Sequence, residues 1–587
     1  MVMKYRSTIA ILSLLLLTSF SVFEAKAQRD TLLRQEVEVI KSFSPASMDA
    51  EKINEIPAIR EEQHQKPTFN YSIFSQPVVS SFSVQTLQAA TIVGKPPTDS
   101  FLGLLQLGAG NYNTPYGEFL FNNKNAKNSI LGIHLKHLSS HSQVKLDNGD
   151  KAEAPWSDNH AELYLQQMVK RSALTLSADF GHKGFNYYGY PGTDPLPDSI
   201  GNYATLLGNR QTFTRGGVNL SMKSFRSFRE DPVTGFDAGY QYFQARTGQQ
   251  EHFARLLASY KKPWRKVSLM VEGSGQHARI NNVMPDSLGA LQIQNQTLAM
   301  LRPMVYFGNE TINLTAGSTV WLGLSGDNKT TFRYAPKLHV NIAPLKNILS
   351  IFAGVDGAAH FNHYSAVAAQ NPYINPEMVV DNHFEKYNIY GGIKTRTSGK
   401  TSATLKANYT IFENHPLFYL PLQHRPVGLI SVREVNNLFA VAYDDMERLT
   451  LGGEINFILP SRVKLLLSGN YHVYTMDKET TPWNLPNFEG LASISYHIGE
   501  RLLISSDIFV RGNREALLRS PLVGAAVADE TYSLPWIADV NAGVQYTLTR
   551  NLSAFAQMNN AAFQQMQQWY GYNLQSFNFI TGLSLRF

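Results

Sequence analysis

His134, His137 and His141 lie close together in the chain and raise the question of a metal. On a strand, His134 points to one face and His137 and His141 to the other. Ligands on opposed faces cannot converge on one ion, so an inward histidine and two interfacial ones are expected, and no metal site. Ser398-Gly399-Lys400-Thr401 looks like the end of a phosphate-binding loop. Lys394, however, stands where that motif needs glycine, and the segment reads as a tight turn between strands with no helix behind it. Gly-x-Ser-x-Gly and His-Glu-x-x-His are both missing. The carboxylates Glu454, Glu489, Asp507 and Asp539 fall on the same face of their segments as Lys464, Arg448, Arg511 and Arg586. Opposite charges on neighbouring strands form ion-pair ladders, and no nucleophile can be matched to a base. No catalytic residue and no cofactor is therefore expected, and the chain is read as a non-enzyme.

Two aromatic segments offer binding chemistry instead. Gly184 to Asp198 carries Tyr187, Tyr188 and Tyr190 among glycines and prolines, and Trp569-Tyr570-Gly571-Tyr572 forms a second cluster. Tyrosine and tryptophan combine contact area with a polar tip, which suits a ligand or a partner protein. The same composition also suits a loop packed on itself. Asp194 and Asp198 do not have the spacing of a recognised calcium loop.

The elements that must position these residues are strands. In Leu574 to Phe587, residues Phe577, Phe579, Thr581, Leu583, Leu585 and Phe587 share one face. Ser576, Asn578, Gly582, Ser584 and Arg586 share the other, with Ile580 its one apolar member. A period of two with one greasy and one polar face is the pattern of a strand between lipid and a polar lumen. It recurs through most of 101–587, in about 22 segments. The predicted fold is all-β, a transmembrane antiparallel β-barrel of outer-membrane type. Counting back from Phe587, short links mostly alternate with long ones; Arg246-Thr247-Gly248 and Asn113-Thr114 are short where a long link is expected, and Phe225 to Val233 is long where a short one is expected. Thr549-Arg550, Gly499-Glu500 and Lys262-Pro263-Trp264 are examples of the short kind, and 515–534, 413–433 and 183–209 of the long kind. Short periplasmic turns and long extracellular loops produce this order. Asn437 to Phe457 keeps one parity across Asp444-Asp445 and is read as a single long strand rather than a hairpin.

The amino-terminus supplies the address. Lys4 and Arg6, an apolar stretch from Ile9 to Leu17, and Ala25-Lys26-Ala27 describe a secretory signal peptide over residues 1–27. Its apolar stretch is too short to span a bilayer. Without Lys4, Arg6, Glu24 and Lys26 the formal charge falls from +6 to +4, which gives no nucleic-acid signal. The chain has no cysteine, hence no disulfide framework and no thiolate metal site. Residues 28–100 are rich in proline, glutamine, glutamate and serine and are read as an extended segment in the periplasm or lumen.

The carboxy-terminal residues Leu552 to Asn560, the aromatic loop with Trp569 and Tyr570, and Phe577 to Phe587 resemble the close of TonB-dependent receptor barrels, and 22 strands is also that family's number. The Ala-Lys-Ala-Gln signal and the Gln/Asn/Tyr-rich strands resemble such barrels from Bacteroidota. Glu36-Val37-Glu38-Val39-Ile40 resembles a TonB box, a peptide that docks by adding a strand to a periplasmic partner. The resemblance implies the outer membrane, ligand uptake and a TonB-like partner. The segment 28–100 is much shorter than the plug domain of that family and is expected to be a reduced or absent plug. Three functions follow as expectations. The first is a receptor-like protein for ligand binding or uptake, the second a scaffold subunit with an outer-membrane partner, and the third a passive channel.

Overall fold

A computed structural model describes Leu102–Phe587 except for residues 124–128, 148, 190–209, 226–231, 284–290, 310, 326–329, 398–400, 428–429, 436, 460–461 and 521–528. Twenty-two strands form an antiparallel barrel, as the alternating pattern requires. Gly103–Gly110 pairs with Thr114–Asn122 on one side and with the last strand, Asn578–Arg586, on the other, so the sheet has no edge. Leu107, Leu301, Leu405, Leu451 and Leu583 stand exposed on the outer face, where hydrocarbon takes the place of a protein core. Inward residues bear the charge. Lys337 meets Asp356 at 2.7 Å, Arg302 meets Glu272 at 3.1 Å and Arg511 meets Glu489 at 3.8 Å.

The closing seam depends on close approach. Gly108 lies opposite Gly582. A Cβ built on Gly582 would fall 2.2 Å from the Leu107 carbonyl oxygen and 2.6 Å from the Phe555 ring. The missing side chain lets Phe555 cover the seam, edge-on to Tyr116 at 6.1 Å.

One end of the barrel has tight turns. Lys170, Arg265, Asn347, Arg462 and Gly499 adopt left-handed φ values of 54°, 55°, 63°, 66° and 62° there. The other end carries the long connections, as the alternation of link lengths predicts, together with the short links at 111–113 and 246–249 that depart from it.

Three boundaries differ from the sequence reading. Lys262-Pro263-Trp264 is not a turn, because the strand Gln250–Trp264 runs through it and the turn follows at Arg265. The strand on one side pairs only as far as Tyr260, so the N–H that Pro263 lacks breaks no ladder there. Residues 413–433 are not simply a loop. The strand Thr401–Val427 passes through them, with a register shift between Phe412 and His415 and Asn414 at φ 60°. The bulge shifts the side-chain phase, which hides a continuing strand from a pattern search. The closing strand starts at Asn578 rather than Leu574, because Leu574 bonds to the Met566 carbonyl and Gln575 to the Ser140 hydroxyl instead of joining the ladder. Asp444-Asp445 makes no turn, and Ala440–Ile458 is one strand.

Candidate functional site: a loop cap and the chamber below it

At the end with long connections, the chain builds a second core that the lipid pattern does not require. Twenty buried apolar side chains gather there from strand tops and loops, among them Phe243, Tyr364, Ile374, Leu422, Phe439, Leu518, Trp569 and Tyr572. A large side chain fully buried contributes about 1.5–3 kcal/mol, so the cluster holds these loops together as one folded cap.

Each contributor is tied down by polar contacts. The buried carboxylate of Glu251, on the top of its strand, meets His363 at 2.6 Å and accepts from the Ser365 amide at 3.0 Å and the Ser365 hydroxyl at 2.6 Å. That fixes the start of the helix Tyr364–Gln370, whose Tyr364, Val367 and Ala368 enter the core. Further along the same loop, the Val380 carbonyl accepts from both Gln294 and Gln296. Asp444, 1% exposed, accepts from the backbone amides of Asp445, Lys478 and Glu479 at 2.8, 3.1 and 2.8 Å and so pins the loop 477–487. Arg514 donates to the carbonyls of Gln567 and Gln568, at 2.7 and 2.5 Å, joining the hairpin Arg514–Arg519/Glu530–Leu534 to the last loop.

The aromatic residues singled out in the sequence meet inside this cap. Tyr188 packs against Tyr373 and Tyr572 at 6.0 and 5.2 Å, and Tyr373 stacks on Tyr572 at 3.6 Å. Gly189 allows that arrangement, since a Cβ there would lie 2.3 Å from the Tyr572 ring. Trp569 sits edge-on to Phe418 at 5.1 Å, and Tyr570 stacks on Tyr532 at 4.4 Å. Tyr187 is 2% exposed and accepts from Gln211 Nε2 at 2.8 Å. Burial pushes the hydroxyl of Tyr373 up to about 12 and those of Tyr187, Tyr188 and Tyr572 higher still. They stay protonated at neutral pH and act as donors: Tyr572 to the Asn437 carbonyl at 2.6 Å and Tyr188 to the Asn573 carbonyl at 2.8 Å. Tyr190, Asp194 and Asp198 lie outside the described residues, as do Ser398 to Lys400, Glu36 to Ile40 and the proposed signal peptide. Thr401 opens a strand rather than a helix.

Beneath the cap is a chamber of about 240 Å³. At ~30 Å³ per water molecule, it has room for a small ring-sized molecule. Its wall combines Trp483, Trp569 and Phe418 with His360, His383, His415, Glu385, Arg448 and Arg511. His360 and His383 stack at 4.2 Å, and His415 stands 5.3 Å from His383. Arg448 lies over the Phe412 ring at 4.8 Å. Trp569 Nε1, His415 Nδ1 and Asn484 Oδ1, on residues that line the chamber, find no hydrogen-bond partner among the described residues. All three side chains are at least nine-tenths buried: Trp569 and Asn484 are 9% exposed and His415 is 7% exposed. Unpaired polar atoms so deep are costly unless something meets them.

The sequence reading missed this constellation. His360 and His383 come from the ends of two strands and His415 from the bulge inside a third, and no spacing in the chain links them. One signal was available: 417–420 reads Leu-Phe-Tyr-Leu and 378–380 Met-Val-Val within stretches otherwise read as loops. Apolar runs in long connections imply loops that pack together.

No family model matches the chain, and no curated protein matches it. Solved structures do match. The siderophore receptor PirA from Acinetobacter baumannii aligns over 84% of this chain and 81% of its own, at 10% identity and a TM-score of 0.61. The copper transporter OprC aligns over 83% and 80%, at 11% identity and a TM-score of 0.57. A mutant ferric enterobactin receptor, PfeA, from Pseudomonas aeruginosa aligns over 83% and 80%, at 13% identity and a TM-score of 0.58. At such identities the likeness is one of fold, the large barrel of outer-membrane receptors and transporters.

Proposed function

We propose that this protein is an outer-membrane receptor that holds a small polar ligand in the chamber under its cap and passes it inward. The observation that carries the reading is the chamber wall, which sets Trp483 and Trp569 beside His360, His383, His415, Glu385, Arg448 and Arg511. A ligand offering both donors and acceptors would meet these imidazole, carboxylate and guanidinium groups while lying against aromatic faces. Solved proteins of the same fold include receptors for siderophores and a copper transporter, and uptake of the same general kind is the activity proposed here. In this reading Glu36 to Ile40 docks a periplasmic TonB-like partner by strand addition, and deleting residues 28–40 abolishes uptake while leaving ligand binding intact.

The density of the cap favours a second reading. Ile374, Val380, Leu422, Leu438 and Leu518 are 0% exposed, as in a rigid soluble domain, which suits a scaffold subunit that presents a fixed surface to an outer-membrane partner. A passive channel fits least, because the cap occupies the mouth. Locking the cap separates the two remaining readings. The chain has no native cysteine, so Asp147→Cys with Gln565→Cys gives one addressable pair. The native side chains lie 3.2 Å apart, joining the first long loop to the last. A receptor should lose uptake when a short reversible cross-link is formed and regain it on reduction. Unchanged uptake in the locked protein would contradict the receptor. A stable partner protein co-purifying with the locked and unlocked forms alike would favour the scaffold.

A further inference from the structure

We propose that the lumen wall carries a transition-metal site formed by His134, His160 and Glu162, separate from the chamber under the cap. Strand geometry brings these three together. His134 and Glu162 are direct cross-strand partners on Ser129–Ser140 and Trp156–Val169. His160 lies two residues before Glu162 and so on the same face. One ligand atom from each residue lies within 4.8 Å of the others, and the two imidazoles are 5.5 Å apart between centroids. Metal bonds of 2.0–2.1 Å to His and Glu place tetrahedral ligand atoms about 3.4 Å apart. The three side chains are only part-buried, so modest side-chain rotation closes that gap.

The surroundings support a cation. Glu118, on the next strand, accepts from His134 Nε2 at 2.8 Å and is itself held by the Tyr116 hydroxyl at 2.6 Å. A carboxylate bonded to a ligating imidazole fixes its orientation and raises its basicity. Glu118 and Glu162 bring two negative charges against one nearby positive charge, Lys136, which pairs across the strands with both Glu118 and His160. Two imidazoles and a carboxylate suit Zn²⁺, Cu²⁺ or Ni²⁺ rather than Mg²⁺ or Ca²⁺, and the lumen side is left open to water or to a passing ligand. Of the histidines grouped in the sequence, only His134 takes part. His137 bonds Asn159 at 2.7 Å and His141 lies near the Asn113 carbonyl at 3.4 Å.

Tag-free full-length protein in detergent, stripped with chelator, provides the test by Zn²⁺ titration calorimetry. The site predicts one Zn²⁺ per chain, an affinity at least tenfold weaker in His160→Ala and in Glu162→Gln, and no change in His137→Ala. Cu²⁺ bound to the wild-type protein should show the spin-resonance signature of two imidazole nitrogens, a readout that needs no variant to fold. Absence of stoichiometric Zn²⁺, binding retained in both site variants, equal loss in His137→Ala, or a Cu²⁺ signal without two nitrogens would each overturn the proposal.

Discussion

Truncating Trp569 and Tyr572 together to alanine should unseat the cap and leave the barrel folded. Tyr572 would lose its stack on Tyr373 at 3.6 Å and its bond to the Asn437 carbonyl at 2.6 Å. Trp569 would lose its edge contact with Phe418 at 5.1 Å and its tilted contact with Phe439 at 5.4 Å. Each large-to-small change in a packed core costs about 3–5 kcal/mol. The two sites share Phe439, so their costs need not add. The loss falls on the cap, because the barrel ladder involves neither side chain. Limited proteolysis should cut within 560–577 far faster than in wild type, while the heat-modifiable migration of a folded barrel persists. Unchanged proteolysis would mean that the aromatic core does not hold the loops.

Glu251→Ala should release the loop 361–382. The carboxylate is 1% exposed and holds His363 and Ser365 through three contacts of 2.6, 3.0 and 2.6 Å. Removing one partner of a buried, hydrogen-bonded pair typically costs about 3–5 kcal/mol. Here the cost is confined to the helix Tyr364–Gln370 and the chain that follows it. Hydrogen exchange at the amides of Val367 and Asn371, which bond to the carbonyls of His363 and Val367, should accelerate by orders of magnitude, with little change in the strand Gln250–Trp264. Glu251→Gln keeps an acceptor for Ser365 and loses only the charge facing His363, so its effect should be smaller. Equal exchange in wild type and Glu251→Ala would show that the loop is held from elsewhere, by the Val380 carbonyl with its two glutamines and by the backbone bonds of Tyr373 and Asn375 to Phe439.

The barrel was legible because lipid imposes a simple rule on every strand. Phe579, Leu583 and Leu585 had to share a face, and the long-short order of links marked which end was which. The rule weakens where lipid ends. Above the membrane, Thr401–Val427 continues as a strand, but the bulge before His415 shifts its phase, and the next residues face a protein core rather than hydrocarbon. Asp444-Asp445 reads as turn chemistry in sequence, and parity alone argued against a turn. The reason for the pair lies in a separate loop, whose amides Asp444 collects. Tyr187, Tyr188, Trp569 and Tyr570 were identifiable as unusual, yet their burial depends on Tyr373, Phe418, Phe439 and Tyr532, distant in the chain. The chamber and the His134–His160–Glu162 triad were invisible for the same reason: each needs a strand register that no local pattern records.

Loops packed on one aromatic core cover the mouth of a wide barrel. Ser468→Cys gives a direct test, because Ser468 shares the inward parity of its strand, opposite Glu454 and Leu491 and below the cap, and the chain has no cysteine of its own. In intact cells treated from outside with a bulky maleimide, the account predicts slow labelling of Ser468→Cys in the otherwise native protein and rapid labelling once Trp569→Ala and Tyr572→Ala are added. Equally rapid labelling in both would contradict it.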